Sequence, residues 1–413
     1  MLQPARYQSV LLCVAAFGCI AATSASDVAT LSAIYSHAAD SAYSRHAILE
    51  RDGTTYISSG DINMEWLRDS SAVLVAYVPD AATKPAVRSM IKGAIARQAR
   101  YILIDPYANA FTEDYRVAER KFEVDSLLYP VQLAYRYWRE DHDGSIFTPQ
   151  LGRAFALVLR VLRTEQHHAT RSHYRNGSLV GGDDGMPFSY TGMIWTGFRP
   201  SDDAAQYPYN IPQNMFAVVE LQQLSSIERS CYHNERLAEE AWGLSVQVHD
   251  AIERSGVVFV PHYGRIYAYE VDGLGHANLM DDANVPSLLS APYIGYLDVR
   301  DPIYQATRRF VLSPSDPYFY SGKDAQGIGS AHTPRGYVWP LALIVEAMTS
   351  IDPVEKARVL GYLAASDTGN HVLHESFDPN DPKHYTRADF AWPNALFTEL
   401  GDPGPATGRA SNR

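Results

Sequence analysis

Apolar side chains recur at helical spacing, three and four residues apart, along most of the chain. The pattern runs through 29–43, 69–79, 84–104, 119–139, 150–166, 212–228 and 233–254, then 283–291, 300–311, 336–349, 354–366 and 389–401. These windows predict about a dozen helices, evenly spread. The connections between them are long and rich in Gly, Pro, Asp and Tyr. Two short stretches, 256–261 and 264–269, read as the strands of one hairpin. No linker, charge block or 20–50-residue repeat divides the chain. Helices joined by alternately short and long loops predict an all-α fold, with six hairpins closed into an (α/α)6 barrel and a minor β-hairpin, as a single domain over 26–413. An irregular α-solenoid is the rival, but its repeats should be more visible.

The first residues break the pattern. A single cation, Arg6, precedes a continuous apolar run over 10–22, which ends in Ala21, Ala22, Thr23, Ser24 and Ala25. This order predicts a secretory signal over 1–25, cleaved after Ala25, and a secreted or periplasmic product. The run is well short of the ~20 residues that a membrane span needs. Cys13 and Cys19 would leave with the signal, so Cys231 would remain alone, without a disulfide or a cysteine-based zinc site.

Composition narrows the classes further. A hydrophobic share of 46% excludes a disordered chain. A net charge of −12 without any basic run argues against nucleic acid or an anionic membrane as partner. With 27 Tyr against 14 Phe and 6 Trp, the chain has surfaces suited to sugars or peptides. No amphipathic stretch calls for a second subunit, so a monomer is expected.

Candidate chemistry lies in the connections, where loops on a rigid scaffold carry function. In 60–70, Trp66, Arg68 and Asp69 precede a helix. Trp offers a flat face to a pyranose, while Arg and Asp can each grip vicinal hydroxyls. The plainer reading makes Asp69 or Ser70 an N-cap and Arg68 a structural ion pair. In 119–126, Glu119 and Glu123 would share a face at a helix start, and acids there also complement the helix dipole. The segment 195–216 is the most telling. Asp202 and Asp203 lie among Trp195, Arg199, Tyr207, Tyr209 and Asn214. A carboxyl among apolar rings can keep its proton and act as a general acid, although the pair could instead cap a helix. Further on come Asp281, Asp282 and Asn284, then His332, then Glu375 between His374 and Phe377, and finally Trp392. Glu375 is either a second reacting carboxylate or a surface acid.

No HExxH, EF-hand, P-loop, GxGxxG on a strand or GxSxG occurs, so neither a metal nor a cofactor is expected. Glycoside hydrolysis by two carboxylates, an acid and a base, fits best.

Six motifs in order carry a resemblance. They are Gly60-Asp61-Ile62 with Trp66-Leu67-Arg68-Asp69-Ser70; Glu119-Arg120-Lys121-Phe122-Glu123-Val124-Asp125-Ser126-Leu127; and Gly197-Phe198-Arg199-Pro200-Ser201-Asp202-Asp203-Ala204. Met280-Asp281-Asp282-Ala283-Asn284-Val285-Pro286-Ser287-Leu288, Gly327-Ile328-Gly329-Ser330 and His374-Glu375-Ser376-Phe377 complete the set. Over about residues 30–400 the chain resembles glycoside hydrolase family 125, metal-independent exo-α-1,6-mannosidases. The resemblance implies an (α/α)6 barrel and inversion at the anomeric carbon. The general acid would lie in the pair Asp202 and Asp203, with Asp202 favoured, and Glu375 would be the general base. The two carboxyls should stand ~6.5–9.5 Å apart. Trp66, Arg68, Asp69, Glu123, Asp125, Arg199, Asn214, Asp282, Asn284, His332 and Trp392 would bind an α-mannoside glycan. The chain departs from the pattern at Glu65, where an apolar residue is expected, at Leu128 and Ala205, where relatives often carry Cys, and at Pro393. Another toroid hydrolase, glucoamylase- or trehalase-like, or a mannoside-binding protein without catalysis are the alternative readings.

Overall fold

The computed structural model describes residues 24–41 and 45–401. The expected signal over 1–25 falls almost wholly outside them. Twelve α-helices form among the described residues: α1 (Ala25–Ser41), α2 (Leu67–Val75), α3 (Pro85–Ile104), α4 (Val124–Asp141), α5 (Pro149–Glu165), α6 (His168–Arg171), α7 (Ile211–Ser230), α8 (Glu235–Ser255), α9 (Pro302–Val311), α10 (Pro340–Thr349), α11 (Pro353–Ala365) and α12 (Ala391–Thr398). Several start where proline occupies the first turn, whose N–H groups have no intrahelical partner in any case. Pro393 also falls in the first turn of α12, so it breaks nothing.

The helices form two rings. α2 packs on α4 and α12, α4 packs on α7, and α10 packs on α12. These are inner helices: every residue of α2 is buried, as is nearly every residue of α10 and α12. Helices walled in on all sides need no polar stripe. α1, α3, α5, α8 and α11 lie outside, with exposed polar positions alternating with buried ones. The result is the expected helical toroid.

One inner position is filled by turns instead of a helix. The predicted helix over 283–291 does not form, although the segment is buried throughout. Pro286 interrupts it, and Pro292 follows its end. The Asp281 carboxylate takes the N–H groups of Leu288 and Leu289, at 2.8 and 2.9 Å, and Ser287 and Ser290 cap one another. Asp281 is thus a backbone anchor.

The expected hairpin forms as Val257–Val260 with Gly264–Tyr267. Five further small sheets among the described residues were not legible, because most of their strands hold two or three residues, too few for a period to show. Three of them shape the site. Glu65–Trp66 pairs with Ala110–Phe111, which pairs with Val117–Glu119. Tyr209–Asn210 pairs with Glu270–Val271. Ser376–Asp378, directly after Glu375, pairs with Asp381–Thr386. The predicted start of α4 is corrected accordingly. Glu119 ends a strand and Glu123 is the N-cap residue, so they share no helix face.

Candidate active site

Arg68 is the hub of the acid side. It stands in the first turn of α2 with its guanidinium buried. Nη1 donates to Glu123 Oε2 at 2.6 Å and reaches Asp125 Oδ2 at 3.4 Å; Nη2 donates to Asp202 Oδ1 at 2.9 Å; Nε faces Asp69 Oδ1 at 3.5 Å. One cation therefore meets four carboxyls in a dry site, and they cannot all ionise. Burial raises Asp69 and pushes Asp125 up to about 6, each against the pull of Arg68. Burial, and then the charge of Asp202, carry Glu123 well above the ordinary carboxylate range. Asp202 goes the other way. Burial lifts it, but Arg68, a hydrogen bond from Glu123 and nearby Lys121 outweigh that and hold it below its ordinary value. The two carboxyls therefore titrate together, with Glu123 raised and Asp202 lowered.

Neither the plain reading of Asp69 nor that of Asp202 and Asp203 holds. The N-cap residue of α2 is Trp66, and the acid pair lies in a turn closed by the bridge between Phe198 and Ala204. Asp202 itself has left-handed backbone, with φ at 67°. Asp203 faces His332, whose Nδ1 is 3.5 Å from Asp203 Oδ1. A hydrogen bond to Asp203 comes first in pushing His332 up to about 9, and the charges of Asp202 and Glu375 add to it. The carboxyls of the 197–204 loop and Glu375 therefore converge on one imidazolium. Glu375 is 6% exposed, so it is no surface acid. Burial raises it, opposed by the Thr386 hydroxyl, Arg387 and His332.

The other expected residues divide into two groups. Arg199 is locked in a bidentate pair with Glu270, at 2.6 and 3.0 Å, and buttresses the acid loop. Asp282 accepts from Asn284 and from Ser330, and lies within the field of Arg199 and Asp203. Trp66 is buried beside the hub, and its indole N–H has no partner within the protein. Asn214 and Trp392 stand apart from the carboxyl cluster. Asn214 is fully buried and spends its amide on the backbone of Ile194 and Asn210. Trp392 is 2% exposed and packs edge-on against Tyr129. Glu65 does not reach the site either, being buried against Arg97 at 3.3 Å.

Sequence reasoning passed over Asn109, Gln213, Glu270, Ser59 and Arg387. Asn109 donates to Glu123 and to Asp202, both at 3.3 Å. Gln213 donates to Asp125 at 2.6 Å. No spacing announces them, because each comes from a different element. Cys231 is partly buried, with its thiol pushed up to about 11 by burial. Such a thiol makes a poor nucleophile.

A toroid of helical hairpins with buried carboxyls facing one another is the build of a glycoside hydrolase. Residues 29–400 match the metal-independent α-mannosidases of glycoside hydrolase family 125, and the chain belongs to that family. It is similar to a Streptococcus pneumoniae metal-independent α-mannosidase solved in a non-productive complex with α-1,6-mannobiose. That likeness has a TM-score of 0.86 and 38% identity, over 94% of this chain and 96% of the other. It is also 36% identical over 397 residues to the "Meiotically up-regulated gene 157 protein" of Schizosaccharomyces pombe, covering 86% of this chain and 77% of that one. A bacterial glucoamylase solved with acarbose shares the fold alone, with a TM-score of 0.58 and 14% identity over 82% of this chain and 48% of the other. Among the described residues no helix is long and apolar enough to cross a membrane.

Proposed function

We propose that the protein is an exported, exo-acting α-1,6-mannosidase that inverts the anomeric carbon without a metal. The observation that carries this reading is the cluster of Glu123, Asp125 and Asp202 on the buried Arg68, beside His332, which faces Asp203 and feels the charge of a second buried carboxyl, Glu375. The S. pneumoniae relative, solved with α-1,6-mannobiose, supports the choice of substrate.

In this reading Asp202 gives its proton to the glycosidic oxygen as the C1–O bond breaks, having drawn it from Glu123. Glu375 takes a proton from the water that attacks C1 on the opposite face. One proton is delivered and one collected in each turnover, and both carboxyls reset through solvent. Asp203, engaged with the His332 imidazolium, orients that residue. His332, with its side chain 39% exposed, is the polar group offered to the sugar. Activity should rise on the acid side at a pH above the ordinary carboxylate range, because Glu375 must lose its proton and burial raises it. It should fall on the alkaline side as the Glu123–Asp202 pair loses its proton.

The test is hydrolysis of α-1,6-mannobiose in EDTA, with NMR of the first anomer released. β-Mannose first, with turnover lost in Glu375→Gln and Asp202→Asn, is the expected result. α-Mannose first overturns inversion. Absence of turnover overturns the activity, and loss of turnover in EDTA overturns metal independence.

A further inference from the structure

We propose that Arg387 is the positioning residue of the general base, fixing the place and the ionised state of the Glu375 carboxylate. This rests on the reading of Glu375 given above.

Arg387 lies at the end of the strand pair that follows Glu375, with left-handed backbone at φ 48°. That conformation costs a non-glycine residue ~1–2 kcal/mol, so its surroundings must hold it there. They do so from three sides. Nε donates to Asp61 Oδ1 at 2.8 Å, Nη2 donates to the Ser59 carbonyl, and the guanidinium carbon lies 4.5 Å from the centre of the Phe390 ring. The 59–61 loop is itself pressed onto this strand. Asp61 N–H donates to the Asp389 carbonyl at 2.9 Å, and a Cβ at Gly60 would stand 2.1 Å from that same oxygen. Only glycine permits the approach, and Gly60 also has φ at +61°.

With Nε and Nη2 engaged, Nη1 faces Glu375 Oε1 at 3.8 Å. This is ion-pair range, longer than a hydrogen bond. The carboxylate therefore gains the field of a cation while its lone pairs stay open to a water, as a general base requires. The other groups bearing on Glu375 are the Thr386 hydroxyl, His332 and Asp61. Those bearing on Arg387 include Asp61, Asp69 and Asp389. Asp61 opposes ionisation of Glu375, so Arg387 both offsets Asp61 and uses it as a clamp. Ser59 joins the two halves of the site. Its carbonyl holds Arg387, and its hydroxyl donates to Asp69, which flanks Arg68 and through it Asp202. The acid and the base are each served by one arginine, and a single loop sets the distance between them.

The experiment is a pH profile of kcat/KM and kcat on α-1,6-mannobiose for the full chain and for Arg387→Met and Arg387→Lys, with Glu375→Gln as reference. A cation within 4–6 Å lowers a carboxyl by one or more units. Arg387→Met should therefore move the acid limb up by about one pH unit or more, with KM changed far less than kcat. Arg387→Lys keeps the charge and loses the grip on Asp61 and Ser59. Its limb should stay near that of the wild type while kcat falls roughly tenfold, since small misplacements of a reacting group are costly. A merely structural role would lower the amount of active protein and leave the limb in place. An unmoved limb in Arg387→Met overturns the inference, and so does a limb in Arg387→Lys that moves as far as in Arg387→Met. Should the Met variant not fold, Arg387→Lys decides against the wild type: a limb moved by about one pH unit, or a kcat that does not fall, overturns the inference. If Glu375→Gln retains turnover, the assignment of the base fails first. If Glu375→Gln is dead and the Arg387 limbs do not move, only the role of Arg387 fails.

Discussion

Replacing Glu123 by Gln tests the shared proton directly. The amide is the same size and can still accept from Arg68, which now donates to Glu123 at 2.6 Å, and from Ser126, now at 2.8 Å. What it lacks is a proton to lend. Asp202 would be left with Arg68 at 2.9 Å and Asn109 at 3.3 Å, both donors that favour the anion. Even an aspartate at its ordinary value is protonated only about 1% of the time at pH 6, and these donors hold Asp202 below that value. General-acid assistance, worth about 10²–10⁴-fold, should then be lost for a leaving group that needs a proton. In barrier terms that is roughly 3–5.5 kcal/mol. A 2,4-dinitrophenyl mannoside leaves as a stable phenolate, so its kcat should change by less than about fivefold. The assay compares kcat for α-1,6-mannobiose and for the aryl mannoside at pH 5, 6 and 7, with melting temperature as a check on folding. A loss on mannobiose of less than tenfold, or an equal loss on both substrates, would refute the proton-sharing account.

Other substitutions probe the scaffold. Burial raises Glu65 to about 8 from an ordinary 4.5, despite the opposing pull of Arg97. The folded chain then binds a proton there that the unfolded chain does not hold, so this contribution to stability is complete below about 4.5 and is lost as pH rises through about 8. Glu65→Gln should flatten the decline in melting temperature over that window. An unchanged slope would contradict it. Arg97→Met should cost about 3–5 kcal/mol in denaturant unfolding at pH 8 and above, because it strands a buried carboxylate, and much less at pH 5. Asn394 accepts from Leu373 N–H at 2.9 Å and donates to the carbonyls of Leu373 and Phe390, both at 2.8 Å. Asn394→Ala should lower kcat by up to ~10²-fold with KM nearly constant, since Leu373 lies two residues before Glu375. Loss of KM alone would count against that.

The helices were legible where apolar positions recur at helical spacing, most clearly in α4, α5 and α8, which each carry an apolar stripe. Inner helices such as α2 and α7 are buried all round, yet the same spacing marks them at 69–79 and 212–228. The segment 283–291 misled for the same reason. Its apolar content is that of a buried helix, and the competing partners that deny it helical hydrogen bonds, Asp281 among them, act at short range without any period.

The site was legible only where its carboxyls and Arg68 sit in dense motifs. Arg68, Asp69, Glu123, Asp125 and Asp202 come from three such stretches, and the fold brings them to one point. The amides and cations that set their charge states are single residues in ordinary surroundings. Asn109 immediately precedes a two-residue strand, and Arg387 lies twelve positions beyond the glutamate it faces. Asn214 shows the converse. It lies in the most suggestive stretch of all, yet it repeats what Asn394 does, down to the acceptor and the two donors. Each asparagine, from within the first turn of an inner helix, pins the incoming loop: Ile194 ahead of Asp202 and Asp203, Leu373 ahead of Glu375. The toroid thus solves the same positioning problem twice, once for each carboxyl. That recurrence lies in hydrogen bonds across 20 and 21 residues, a separation at which no sequence period was visible.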